Sequence, residues 1–418
     1  MTAAKPKRIA TLDIVRGIAV MGILAMNIVG FAMPDQAYLN PRAYGTESDL
    51  DLFSWAFSFV LIDGKMRGLF SFLFGASMLL VIQRAQANGE SEARVHFSRM
   101  LWLLLFGYLH FYFIWYGDIL TGYATLGMVA WFFRDQPERT LLKWGTILIG
   151  VQFALFAFFA MSFGQASAAA AAPGASPETV KQWAEMSEAF AIPNSTELAR
   201  SIAIYRGDWL GLSLDKLTNR TTEPLFMLSM FGWEVLANLL FGMALLKNGF
   251  FTGSWEDSRY RRVMVRAFGI AIPAYMLIAA MVWSSDFTVP RIMLGMAATV
   301  LLRPLMVVAI AALVILATRR SGWLVDRIAA AGRAAFTNYL GTSLIMTTLF
   351  YGYGLDWFGS LSRAELWLVV LPMWVLMLAW SKPWLDRFQY GPFEWLWRSL
   401  ARWEIQPLRK RTAIAAEA

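Results

Sequence analysis

The sequence predicts an all-α fold: a polytopic transmembrane helix bundle of about ten spans with both termini cytoplasmic. Three observations carry this expectation. Of the 418 residues, 58% are hydrophobic and only 16% charged, with a mean hydropathy of +0.49, a composition far from that of a water-soluble globule. Apolar runs of about 20 residues, the length that crosses a ~30 Å hydrocarbon core, recur along the whole chain. Lys and Arg gather in every second connection, the bias expected of cytoplasmic loops.

The runs fall at 9–32, 52–83, 98–116, 118–134, 141–163, 222–246, 262–284, 289–318, 335–353 and 364–381. Lys5, Lys7 and Arg8 precede the first run; Arg84, Arg94 and Arg99 flank the next basic connection, followed by Arg134, Arg139 and Lys143. Lys247 with Arg259 to Arg266, Arg319 to Arg333, and Lys382 to Arg402 continue the alternation. The intervening connections hold Glu47, Asp49, Asp51, Asp118, Asp286 and Asp356 with little basic company. The first run has a basic flank like a signal peptide but no small-residue cleavage pattern, so it is read as retained. The chain divides into a five-helix half (1–163), an outer linker with an interfacial helix (164–221), a second five-helix half (222–381) and a cytoplasmic amphipathic tail (382–418).

The second run is too long for one span and is interrupted at Asp63-Gly64-Lys65-Met66-Arg67-Gly68. This predicts either a break inside the membrane region or a surface helix over 52–62 followed by the true span. The 164–221 segment opens with an Ala/Ser/Gly-rich run that reads as a linker. Ser176-Pro177-Glu178 is a helix start, and Leu198, Ile202, Tyr205, Trp209 and Leu212 recur at helical spacing, as in a lid at the outer interface. Past the last run, Trp and Arg alternate at helical spacing from Tyr390 to Trp403, which suits an interfacial anchor.

The net charge of +8 is a topology signal and an attraction to anionic headgroups, so the lipid bilayer is the expected partner and no nucleic acid is. The absence of Cys excludes disulfides and thiolate catalysis, and with only His96 and His110 no metal site is expected.

Ionisable groups inside apolar runs are functional candidates, because burying them in a bilayer costs about 3 kcal/mol or more each. On the first helix Asp13, Arg16 and Asn27 form one stripe, with Arg16 and Asn27 eleven residues or ~16 Å apart. On the third, Arg99 and His110 repeat that separation. If these faces oppose each other they line a channel, with Arg16, Arg99 and Arg84 at the inner rim and Asn27 and His110 deeper. Snorkelling to lipid phosphates is the alternative role for the arginines, and a helix-to-helix hydrogen bond that for His110. Asp118 either folds back to orient His110 or caps the next helix. Further polar lining is expected from Asp63, Lys65, Arg67, Glu234, Asn238, Arg303 and Asn338; Arg303 needs an anionic neighbour, with Glu234 or Asp63 available.

Several motifs together resemble the YeiB-like family of bacterial inner-membrane proteins, built on the domain of unknown function DUF418. They are Leu12-Asp13-Ile14-Val15-Arg16-Gly17 with Asn27, Leu69 to Gly75, His110 with Trp115-Tyr116-Gly117-Asp118, Thr337-Asn338-Tyr339-Leu340, and Tyr390 to Arg398. In its opening helix the chain is also similar to the transmembrane acyltransferase superfamily, which includes the lysosomal heparan glucosaminide N-acetyltransferase. That resemblance implies transfer of an acyl (acetyl) group from cytoplasmic acyl-CoA to a hydroxyl or amine on a small-molecule or glycan acceptor at the outer side. The bacterial O-acyltransferases of that superfamily carry a His where this chain has Asn27, so His110 alone is able to substitute. On this reading His110 is general base, Asp118 fixes its tautomer, Asn27 donates to the oxyanion, and Arg16, Arg84 and Arg99 hold the donor phosphates. The alternative is a transporter or channel for a small polar or anionic solute, with the same stripes as its path. A lipid-binding sensor is a third option, and a homo-oligomeric assembly stays open.

Overall fold

The computed structural model describes residues 9–410, which are helical with no strand beyond one antiparallel bridge between Phe388 and Arg409. In chain order the helices begin with α1 (Ala10–Ala32), α2 (Asp49–Leu61), α3 (Lys65–Ala87), α4 (Glu92–Phe113) and α5 (Leu120–Ala130). Next come α6 (Glu138–Ala170), α7 (Pro177–Ser187), α8 (Ser195–Tyr205), α9 (Trp209–Asn219), α10 (Glu223–Lys247), α11 (Asp257–Ser284) and α12 (Val289–Ala317). The last four are α13 (Trp323–Arg333), α14 (Ala335–Phe350), α15 (Trp367–Arg387) and α16 (Pro392–Arg402).

Seven of these units are long and apolar enough to cross a membrane: α1, the α2–α3 pair, α6, α10, α11, α12 and α15. The protein is therefore a multi-pass membrane protein. The other three expected spans are also helical, but they are shorter or more charged. α14 has 16 residues and α5 has 11 before a 3-10 turn, while α4 starts at Glu92 and takes in Arg94 and Arg99.

α1 is the centre of the bundle, buried on nearly every side, as a helix apolar all round should be. It packs against α3, α13, α14 and α15. α13 was expected only as a basic loop, yet it is α1's closest neighbour. A Cβ on Gly17 would strike the Ile328 carbonyl, and one on Gly332 would strike the Asp13 carbonyl, so the two backbones touch only because both residues are glycine. Gly75 of α3 and Gly242 of α10 make the same reciprocal contact at Leu239 and Phe72.

The break in the second run lies inside the bundle. The chain turns at Ile62–Gly64, with Gly64 at φ 70°, in the left-handed region that glycine accepts without strain. Gly64 sits against Arg303, and Arg303 lies fourteen residues, about 21 Å, from either end of α12. Of the two alternatives for residues 52–62, this favours a break at mid-bundle, with α2 a half-helix leading down to it.

The 164–221 segment departs from expectation in two places. The Ala-rich run is no linker: α6 continues to Ala170, because alanine is the best helix former, and stops before Pro173-Gly174. The stripe from Leu198 to Leu212 is two helices, since Asp208 caps a new start by accepting from the Gly211 N–H at 2.6 Å. α7 starts as expected, with Ser176 capping Thr179. α15 runs on past residue 381, so Lys382 pairs with Asp386 one turn along the helix.

Candidate functional site: a buried histidine–aspartate pair

The turn after α4 folds back tightly, and Asp118 meets both expectations for it at once. One carboxylate oxygen accepts from His110 Nδ1 at 2.9 Å. The other accepts from the Thr121 backbone N–H at 2.8 Å and its hydroxyl at 2.6 Å, capping α5. Gly107, one turn before His110, admits this approach; a Cβ there would lie 2.5 Å from Thr121 N and 3.0 Å from the Asp118 carboxylate. Both side chains are sealed off, at 1% and 0% exposure. With an acceptor-only carboxylate on Nδ1, the ring's second nitrogen carries the lone pair. That Nε2 is buried and has no partner among the described residues.

Around the pair stand rings from distant parts of the chain. Trp115 stacks on Phe31 at 3.9 Å and donates to the Gly30 carbonyl at 3.1 Å. Tyr339 of α14 lies 5.2 Å from the imidazole, and its hydroxyl accepts from the Ile119 N–H at 3.3 Å. Tyr339 also lines a void of about 10 Å³ together with Asn27, Phe31, Thr342 and Ser343 among others, room for a single water. The Asn27 amide is buried beside it and makes no hydrogen bond among the described residues. The expected open channel between α1 and α4 is thus corrected: α14 and the Trp115 turn stand between those helices, and aromatic rings fill the space.

The other candidates separate into three groups. Arg16 bonds to Asp13 at 3.2 Å and to Ser77 of α3 at 2.6 Å, so it ties α1 to α3. Arg99 instead lies over the Trp397 ring at 4.1 Å and faces α16, while Arg84 is exposed. At mid-bundle, Arg303 pairs with Glu234 rather than Asp63, and adds Thr299 at 3.1 Å. Lys65, fully buried, bonds to the Phe59 carbonyl and sits 3.5 Å over the Tyr275 ring. Among the described residues the Arg67 side chain meets only the Phe231 ring, at 5.4 Å, and the buried Asn238 carbonyl oxygen has no partner. Asn338 is saturated, donating to Ala331 O and Ser381 and accepting from Trp380. It belongs to the packing, not to an open site.

The end of the bundle where α1 terminates is closed by a latch between residues far apart in the chain. Asp35, just after α1, accepts from Tyr205 at 2.8 Å and from Arg220 at 2.7 Å. Arg220 also covers the ring of Tyr116, two residues before Asp118. Beside it Lys216 is buried, which pushes its pKa down to about 8.

The fold and site define a multi-pass helical membrane protein in which, among the described residues, one buried histidine is partnered by a carboxylate, near the helical cover formed by α8 and α9. Comparison with known proteins gives the family. Residues 245–404 match the model described as a protein of unknown function (DUF418). The chain is 32% identical to the uncharacterized protein YeiB of Escherichia coli (strain K12), over 97% of this chain and 100% of that protein. It is 31% identical to the uncharacterized protein YxaH of Bacillus subtilis (strain 168), over 98% of each. The chain belongs to the YeiB-like DUF418 family. No solved structure matches it.

Proposed function

We propose that this protein is an acyltransferase of the bacterial inner membrane, with ten spans and both termini cytoplasmic. It passes an acyl group from cytoplasmic acyl-CoA to a hydroxyl or amine acceptor, a small molecule or glycan, presented from the outer side. The observation that carries the reading is the Asp118–His110 pair with its unpartnered Nε2, the arrangement of a general base held in one tautomer. In the proposed step the acceptor oxygen or nitrogen attacks the thioester carbonyl as its proton passes to His110 Nε2. The C–S bond then breaks, and the departing thiolate takes that proton. Asn27, its amide uncommitted, is the donor to the developing oxyanion. The closed form has room for one water beside Asn27, so turnover on this reading requires the cover to open at the Asp35–Arg220 latch. The test is purified protein with labelled acetyl-CoA: His110→Ala is expected to abolish transfer and hydrolysis while leaving the fold intact. Equal turnover by wild type and His110→Ala sinks the proposal.

The second reading is transport of a small anion, favoured by the mid-bundle break and the carboxylate-free Arg67 beside it. Anion flux into proteoliposomes that is lost on Arg67→Gln and unaffected by His110→Ala supports it over transfer.

A further inference from the structure

At the basic end of the bundle, α16 lies across α4 and α14, held by Ser98 donating to Ala401 O at 2.7 Å and by Trp397 Nε1 donating to Arg99 O at 2.9 Å. This brings Arg398 and Arg402 up to Arg99 and Arg84. Arg398 lies within the electrostatic reach of Arg402 and Arg84, and Arg99 within that of Arg398 and Arg402. Four guanidinium groups so gathered repel one another, and the partial burial of Arg99 and Arg398 adds to the cost, while Arg84 and Arg402 are exposed.

The carboxylates nearby compensate only in part: Glu394 attracts Arg398 through space but makes no hydrogen bond to it. Glu90 reaches only Arg402, at 3.6 Å. Glu394 is occupied in capping α14, accepting from Phe336 N at 2.6 Å, Thr337 N at 3.1 Å and the Thr337 hydroxyl at 2.5 Å. The guanidinium groups of Arg99 and Arg398 have no acceptor among the described residues. Each instead rests on a ring, Trp397 at 4.1 Å and Tyr390 at 4.6 Å, which fixes its plane and leaves its N–H edges open. Fixed, planar, unpaired guanidinium edges match phosphate oxygens in bidentate fashion, and a nest of four calls for more than one negative charge.

We propose that Arg84, Arg99, Arg398 and Arg402, on α3, α4 and α16, form a binding site for a multiply charged phosphate group, with Trp397 and Tyr390 as its shelf. The site extends the donor end of the acyl-transfer reading, and the choice of coenzyme A as one probe rests on that reading. Two sources carry the same chemistry: a free cytoplasmic phosphate compound, or the headgroup of an anionic lipid, whose chains would lie along exposed Leu101 and Leu105 of α4.

The experiment follows thermal unfolding and calorimetric binding of the full chain in neutral detergent and in phosphatidylcholine nanodiscs. Its probes are coenzyme A, inorganic pyrophosphate, and nanodiscs containing cardiolipin. Stabilisation by coenzyme A or pyrophosphate, weakened at least tenfold by Arg99→Gln or Arg398→Gln and by raised salt, supports the site with a free ligand. Stabilisation by cardiolipin alone, lost in the same variants, supports the site with a lipid ligand and removes the acyl-CoA donor. If none of the three probes binds, or if both variants bind as wild type does, the site is overturned. His110→Ala must retain binding; its loss of transfer with binding intact separates the fate of this site from that of the catalytic proposal. Arg398→Lys, which keeps charge but not the planar fork, is expected to fall between wild type and Arg398→Gln.

Discussion

Replacing Asp118 separates its two roles, because Asn and Ala remove different parts of the same three-bond arrangement. Asp118→Ala deletes the cap of α5, worth about 1 kcal/mol. It also leaves the His110 Nδ1–H and the Thr121 N–H buried without acceptors, at about 1–3 kcal/mol each. The cap and the stranded Thr121 N–H are one interaction, so the sum is a loss of roughly 2–6 kcal/mol, enough to threaten folding. Asp118→Asn keeps an oxygen for Thr121 but turns an amide N–H towards His110 Nδ1. The imidazole then accepts at Nδ1 and carries its proton on Nε2. The expected stability loss is about 1–3 kcal/mol, while base catalysis falls by about 10²–10⁴-fold. Detergent melting curves measure the first quantity and acyl-transfer rates the second. Nitrogen NMR of labelled histidine reads the tautomer directly, with no substrate. A variant Asp118→Asn with the wild-type tautomer, or Asp118→Ala with an unchanged melting curve, would refute the reasoning.

Three further outcomes are expected. Glu234→Ala strands the buried Arg303 charge and should cost about 3–5 kcal/mol by detergent melting, whereas the double change Glu234→Leu with Arg303→Met should recover most of it; a double variant as unstable as the single one contradicts a simple ion-pair lock. Burial of Lys216 lowers its pKa in the fold to about 8 from 10.5, so between those values the unfolded chain binds the extra proton and stability rises with pH. Lys216→Met should remove that rise, followed by melting temperature from pH 7.5 to 10.5, and should stabilise the protein most at the lower end. Asp35→Ala frees Tyr205 and Arg220, so hydrogen exchange across residues 195–219 should accelerate with little change in α1; equal protection in both proteins would mean that the latch does not hold the cover.

What the sequence made legible was whatever is written locally. The seven long apolar helices follow from hydropathy alone. The Asp118–His110 contact was within reach because eight residues and a turn separate the partners, and Thr121 stands at the spacing of a capping pair. The cap at Ser176 was legible for the same reason. Contacts across hundreds of residues leave no such trace: nothing near Tyr339 announces that its ring meets His110, and nothing near Asp35 announces Arg220. α13 was missed because eleven amphipathic residues between basic flanks look like a loop until α1's glycines accept them. The Ala-rich run misled in the opposite direction, since low complexity suggested flexibility where helix propensity prevailed. Arg303's need for an anion was certain from burial, but the choice of Glu234 over Asp63 depended on how α10 and α12 face one another.

Partnering, more than charge, sorts these intramembrane polar groups. Arg16 is satisfied by Asp13 and Ser77, Gly17 exists for α13, and Asn338 has each of its bonds filled, so the motif that opens the chain assembles the bundle. Asn27, Arg67, the Asn238 carbonyl oxygen and Arg398 keep open valences among the described residues, and so do the Arg99 guanidinium and the His110 Nε2. These last two stand together on one helix, α4, eleven residues apart, which places them about 16 Å from each other. A buried polar group left unpaired costs stability, and these two make α4 the helix on which the acyl-transfer proposal rests most heavily. α1 serves as the post around which that helix and its cover are set.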